Sequence, residues 1–278
     1  IIMLEQDYEY EEEYVLKSND KRDKDLENSD RTLRDGLVEN IRMTASDWNK
    51  RWEVNGFTRW HLKDTHLFIK NHAHQFRNWS PSKRILVPLS GQSVDLFWLA
   101  QQGLNVIGIE GSNRAIQELY LKQQVDNYTY TKIDDNISKY STLNGQITVY
   151  KVDLFSSDLT QKLIGGPVDY IWDRAAIVAL HWDDHERYLI KLLSLMEKPS
   201  NSSTNSGYDL LFGCYWHDQH RGPPFPVDQD YLTKLLHKIE PKIEKIDLLD
   251  DVDAFNSGWA NGAFTIMRER CFGVNRNA

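Results

Sequence analysis

The sequence predicts an α/β fold built on a doubly wound, mostly parallel sheet. Three observations carry this. Ile85–Gly103, "ILVPLSGQSVDLFWLAQQG", reads as a buried strand, a tight turn with one glycine, then an amphipathic helix. Beyond it, strand-like and helical runs alternate, which is the pattern of βαβ units. The chain closes on two strand-like runs instead of a last crossover helix, so an antiparallel hairpin should form one edge. Five parallel strands and this hairpin make a seven-stranded sheet.

Each element has its own signal. Residues 1–42 are acidic: residues 1–40 hold 13 Asp/Glu against 6 Lys/Arg, and Glu9–Gly36 has few apolar residues, so this extension reads as disordered. Residues 43–278 form the single folded domain. There Thr44 and Asp47 make a variant capping box for a first helix, with Trp48 and Trp52 four apart on one face. "NGFTRWH" is a turn, and His66–Phe76 a second helix. Strand one is Ile85–Val87. Its helix, Ser93–Gln102, turns Val94, Leu96, Phe97, Leu99 and Ala100 inward. "NVIGIEG" is strand two, and Ser112 or Asn113 caps the next helix. Val125–Thr142 is polar and carries no clear pattern. "QITVYKVDLF" is strand three and "VDYIWDRAAIVAL" contains strand four. "DDHERYLIKLLSLM" is a helix whose acidic first turn suits its dipole. "YDLLFGCYW" is strand five. After the loop "HDQHRGPPFPV" and a helix over "DQDYLTKLLHKI" come the two hairpin strands.

Composition excludes several classes. The net charge of −8 lies almost wholly in residues 1–40, so no basic face is left for a nucleic acid. No apolar run approaches the roughly 20 residues of a membrane span. No secretory signal opens the chain, and two cysteines, Cys214 and Cys271, suit a reducing compartment; a cytoplasmic protein is expected.

In doubly wound sheets the ligand lies at the carboxyl ends of the strands. Those ends carry Leu89, Ser90 and Gly91, then Glu110, then Asp153 and Leu154, then Trp172, Asp173 and Arg174, then Trp216, His217 and the Pro223–Phe225 loop. Glu110 stands about 20 residues past the turn, where an acid can accept ribose hydroxyls. Asp153 can accept from an adenine amino group while Leu154 packs on the ring. A pyrophosphate needs several backbone N–H groups brought close by glycines. One glycine, Gly91, better suits a nucleoside ligand without phosphates, such as S-adenosylmethionine. Trp48 and Trp52 could shield its sulfonium through cation–π contact, or pack on the core. His181, His185, His217 and His220 invite a metal reading. The catalytic Glu of a zinc motif is missing, so capping by Asp183 or Asp184 and a solvated loop are preferred, and no metal is expected.

Taken together, "DWNKRW…NGFTRWH", "VPLSGQSVDLFWLAQQGLNVIGIEGSNRAIQE", "DYIWDRAAIVAL", "GPPFPV" and "DAFNSGW" resemble the thiopurine S-methyltransferase family over residues 43–272. The resemblance implies a class I methyltransferase fold, Rossmann-like, with an N-terminal helix covering the cofactor site. It implies cofactor contacts at Trp48, Trp52, Leu89, Gly91, Glu110, Asp153, Leu154 and Arg174. Trp60, Pro223, Phe225 and Trp259 would face the acceptor. The activity implied is methyl transfer from S-adenosyl-L-methionine to the sulfur of an aromatic or heterocyclic thiol, leaving S-adenosyl-L-homocysteine. No metal is needed, because alignment for in-line displacement supplies most of the acceleration. Arg174 would hold the anionic acceptor or the cofactor carboxylate, and Asp173 would orient its neighbours. The expected partner is a small-molecule thiol and the expected form a monomer. A halide, thiocyanate or small-thiol methyltransferase and a noncatalytic cofactor-binding protein are the alternatives. Three departures stand out. The family's P-L-C-G-K turn is P-L-S-G-Q, its W-D-R-G-A is W-D-R-A-A, and Glu53–Trp60 carries one extra residue.

Overall fold

A computed structural model describes residues 42–53, 62–123, 128–199, 207–219, 221–255 and 264–276. Residues 1–41, which hold nearly all of the acidic extension, lie outside it.

The elements follow in chain order. Helix α1 is Ala45–Glu53, and its capping box forms: the Thr44 amide donates to Asp47 Oδ2 at 2.9 Å and the Asp47 amide to Thr44 Oγ1 at 3.2 Å. Helix α2 is short, Leu67–His72, continued by a 3-10 turn at Ala73–Gln75 and capped by the His66 ring. Strand β1 is Arg84–Pro88, α3 Asp95–Gln101, β2 Asn105–Glu110, and α4 Asn113–Lys122, capped by Ser112. Strands β3 (Tyr128–Lys132), β4 (Ser138–Thr142) and β5 (Ile147–Lys151) follow, then β6 (Tyr170–Arg174) and the single turn α5 (Ala176–Ala179). Helix α6 is Trp182–Leu195, β7 Leu210–His217, α7 Gln229–Ile239, β8 Ile243–Asp253 and β9 Met267–Arg276.

The strands form one sheet in the order β3-β4-β5-β2-β1-β6-β7-β9-β8. The five central strands β5, β2, β1, β6 and β7 are parallel, and β9 and β8 close one edge as the antiparallel hairpin. All seven expected strands are present. The polar stretch at Val125–Thr142, which showed no clear pattern, supplies two more: β3 and β4 add an antiparallel extension to the opposite edge. Exposed Thr, Tyr and Lys side chains on β3 hide it, because every residue of this edge strand after Tyr128 is exposed.

Alternation in β1 builds the core. Ile85 and Val87 join Leu96, Leu99, Leu119 and Trp172 on one face of the sheet, while Leu86 joins Leu189, Leu192 and Leu232 on the other. Both faces being covered explains why the central strands read as unbroken apolar runs. Chain order reverses between β1 and β6, and that switch point opens a crevice at their carboxyl ends. Among the described residues, no helix is long and apolar enough to cross a membrane.

Candidate functional site

The turn after β1 is wound tightly. Leu89 at φ 44 and Gly91 at φ 50 both occupy the left-handed region. Glycine adopts it freely, whereas leucine there is held by its surroundings, a form of strain that gathers at ligand sites. Glu110 at the end of β2 secures the turn. Its carboxylate accepts from the Gly91 amide and from the Ser112 amide, each at 2.8 Å. Burial pushes its carboxyl above the ordinary value, opposed by the backbone donors at Ser112, Gly91 and Gly111. At the end of β5, Asp153 is exposed and accepts from the Phe155 amide at 2.7 Å. Leu154 is buried in the core cluster with Ile109 and Leu159 rather than lying open at the strand end.

The end of β6 divides its labour. Asp173, expected to orient its neighbours beside Arg174, has a fully buried carboxylate that is turned inward. It accepts from Tyr188 Oη at 2.7 Å and from the amides of Ala176 and Ile177. Burial pushes its carboxyl up to about 6. A carboxylate fastened by three protein donors anchors the turn that carries Arg174. Arg174 itself is half-buried and lines a cleft with Leu62, Asp64, Ser93, Val94 and Asp95. Among the described residues its guanidinium has no hydrogen bond or ion pair within 4 Å.

Sequence reasoning missed the buried polar set behind this cleft. Asp95, 2% exposed, accepts from the His66 amide at 2.8 Å and from Trp172 Nε1 at 2.7 Å. His66 Nδ1 accepts from the Phe68 amide, so the proton sits on Nε2, which donates to Glu269 Oε1 at 2.9 Å. An acid among inward-facing residues of an apolar helix was the available signal for Asp95. His66 and Glu269 are 203 positions apart, and only the fold pairs them.

Other expected contacts fall differently. Phe225 is 1% exposed, its ring edge-on to those of His181 and Trp182, so it supports the loop from inside instead of lining an open pocket. Pro223 is half-buried on that loop. His217 Nε2 donates to the Pro224 carbonyl at 2.8 Å and its Nδ1 accepts from the Gln219 amide. His185 likewise donates to the Leu180 carbonyl and accepts from Tyr231, while His181 caps α6. Trp60, Trp259 and His220 lie outside the described residues.

Helix α1 sits where a cover belongs. Trp52 is buried and Trp48 half-buried, with the Arg51 guanidinium 5.4 Å from its ring centre. Behind the helix, Arg114 of α4 donates to the Glu53 carbonyl at 2.8 Å. Ahead of it, Arg42 Nε donates to Asp184 of α6 at 2.9 Å. The chain therefore reaches from the β6 side of the crevice to the β2 side.

The sequence pattern of the thiopurine S-methyltransferases matches residues 43–276, from the approach to α1 to the last residue of β9. The chain belongs to the thiopurine S-methyltransferase family. The thiopurine S-methyltransferase of Canis lupus familiaris is 32% identical over 213 residues, covering 75% of this chain and 82% of that protein. The Bos taurus protein of the same name is 30% identical over 215 residues, with the same coverage. A solved S-adenosylmethionine-dependent methyltransferase from Anabaena variabilis superposes with a TM-score of 0.52 at 12% identity, over 86% of this chain and 98% of that one. The fold is that of the class I methyltransferases.

Two of the three departures from the thiopurine S-methyltransferase pattern have structural readings; the third, the extra residue in Glu53–Trp60, lies outside the described residues beyond Glu53. Ser90 is buried, and among the described residues its hydroxyl has no hydrogen-bond partner. A Cβ placed on Gly108 would lie 2.9 Å from that oxygen and 3.1 Å from Leu96 and Val149, so the hydroxyl sits on the apolar side of the sheet. Gln92 bridges the Glu118 carboxylate and the Lys122 ammonium, tying the turn to α4. Ala175 has φ 58, a conformation that explains a glycine at this place in the family's W-D-R-G-A.

Proposed function

We propose that the protein transfers a methyl group from S-adenosyl-L-methionine to the sulfur of an aromatic or heterocyclic thiol. The observation that carries this reading is the placement of two groups at the carboxyl ends of strands on either side of β1: the Glu110 carboxylate at the end of β2 and the Arg174 guanidinium at the end of β6, which lines a cleft.

The residues fit an adenosine-bearing ligand. The Glu110 carboxylate accepts from the Gly91 and Ser112 amides, each at 2.8 Å, and from the Gly111 amide, and an ionised carboxylate has about four acceptor positions, so capacity remains for a ribose hydroxyl. A Cβ at Gly111 would meet nothing within 4 Å, so the chain beside Glu110 leaves open space. The one-glycine turn is held by Glu110 itself, an acid that would repel a pyrophosphate. When bound, S-adenosylmethionine supplies an electrophilic methyl group on a cationic sulfur. Glu110 would hold the ribose, Trp48 and Trp52 on α1 would exclude water, and Arg174 would hold an anionic group. An aromatic thiol is already partly ionised near neutral pH and reacts as thiolate, so no strong base is required. Alignment of that thiolate by Arg174 and the covering chain is then the main source of rate.

Calorimetry tests the binding half. S-adenosylhomocysteine should bind the parent, ADP should not, and Glu110→Gln should weaken the former by about tenfold, roughly 1.4 kcal/mol. Equal binding of ADP, or an unchanged affinity in the variant, would contradict the reading.

A further inference from the structure

The cleft at Arg174 has one wall with no fastening of its own. Leu62 and Asp64 line it, and both are exposed. Among the described residues, none of residues 62–65 makes a hydrogen bond. The next residue in the chain is fastened on three sides. His66 is 3% exposed. Its amide donates to Asp95 Oδ1 at 2.8 Å, its Nε2 donates to Glu269 Oε1 at 2.9 Å, and its Nδ1 accepts from the Phe68 amide at 3.1 Å. Its ring also stands edge-on to Trp172, with 5.7 Å between centres. Asp95 starts α3 and itself lines the cleft, and it accepts from Trp172 Nε1 as well. Trp172 lies two residues before Arg174 on β6. Buried polar groups that are all bonded hold one arrangement, because each bond broken there leaves a costly unpaired partner. His66 therefore ties the loose wall to the two elements that carry the rest of the cleft. Methyl transfer as set out above gives it no task.

We propose that His66 is a positioning residue: it pins residues 62–65 beside Arg174 and so sets the space in which the acceptor aligns with the methyl group. It rests on the reading of Arg174 as the group that aligns the thiolate. His66 touches neither reactant and acts through Leu62 and Asp64. In-line displacement demands alignment, and a misplacement of about 1 Å can cost about a hundredfold in rate. A loosened wall therefore lowers kcat, while the cofactor keeps its ribose contact at the end of β2.

The test is kcat with thiophenol per S-adenosylhomocysteine site, the sites being counted by calorimetry so that unfolded molecules drop out. His66→Asn keeps an acceptor for the Phe68 amide but is too short to reach Glu269. Its kcat per site should fall about tenfold, with S-adenosylhomocysteine affinity within about twofold of the parent. Glu269→Gln keeps an acceptor for Nε2 and should stay within about twofold of the parent in both. Thr65→Gly leaves every His66 bond in place and loosens the chain between wall and anchor, so its kcat per site should fall about fivefold. This variant decides alone where His66→Asn does not fold. A kcat per site within about twofold of the parent in Thr65→Gly and in folded His66→Asn, with the parent active on thiophenol, overturns this inference alone. So does an S-adenosylhomocysteine affinity that falls as far as kcat. A parent that does not methylate thiophenol overturns the acceptor reading and this inference with it.

Discussion

Trp172 Nε1 donates to Asp95 Oδ2 at 2.7 Å, joining the strand that ends in Arg174 to the helix that leaves the Gly91 turn. The same carboxylate holds the His66 amide, so three segments meet on one buried acid. Asp95→Ala leaves two buried donors unpaired and should destabilise the protein by about 2–4 kcal/mol, with Asp95→Asn, which keeps one acceptor, losing about half as much. Urea unfolding checks this; a loss under about 0.5 kcal/mol for Asp95→Ala would contradict it.

Ala175 sits at φ 58 ahead of α5. An L-residue in the left-handed region costs about 1–2 kcal/mol, and glycine's extra chain entropy returns only part of that. Ala175→Gly should therefore stabilise the fold by about 1 kcal/mol in the same unfolding experiment. A less stable variant would mean that the Ala175 methyl packs better than its backbone conformation suggests.

Much of this was legible in the sequence. Ile85–Val87 and Val106–Ile109 are doubly buried strands, and their apolar runs say so directly. Thr44 and Asp47 announce α1 through a local pair that needs no tertiary contact. The first-turn glycine and Glu110 marked the crevice because strand–turn–helix–strand order fixes where they fall. What escaped was non-local or one-sided. The β3–β4 extension shows water a row of Thr, Tyr and Lys side chains, so its pattern is polar. Asp173 stood beside Arg174 in the sequence, but strand alternation sends the two side chains to opposite faces, and only the fold shows which one turns inward. Glu269 had no signal at all until β9 lay beside β7.

Ser90 offers a test of its departure from the family's cysteine. Its hydroxyl is buried among apolar groups, and removing such a group recovers part of its desolvation cost. Ser90→Cys should raise stability by about 1 kcal/mol and leave S-adenosylhomocysteine affinity within about twofold of the parent by calorimetry. A clear drop in affinity would show that the hydroxyl serves the ligand.

The Asp173 carboxyl, pushed up to about 6 by burial, has a defined pH signature. Its unfolded value is about 3.9, so between about pH 4 and 6 the folded state holds more of this proton than the unfolded state. Its contribution to stability is thus full below about pH 4 and is lost as pH rises through about 6, by roughly 3 kcal/mol. In Asp173→Asn this dependence should vanish, so the stability gap between variant and parent should shift toward the variant as pH rises from 4 to 7. A gap that stays flat across that range would show that the carboxyl titrates at its ordinary value.

The most direct measurement is transfer of a labelled methyl group from S-adenosylmethionine, with thiophenol, mercaptopurine, selenide and iodide offered separately to the purified full chain. The account predicts an S-methylated product with thiophenol and mercaptopurine, and loss of that activity by an order of magnitude or more in Arg174→Ala. Tight S-adenosylmethionine binding with no methylated thiol, or transfer to iodide alone, would contradict it.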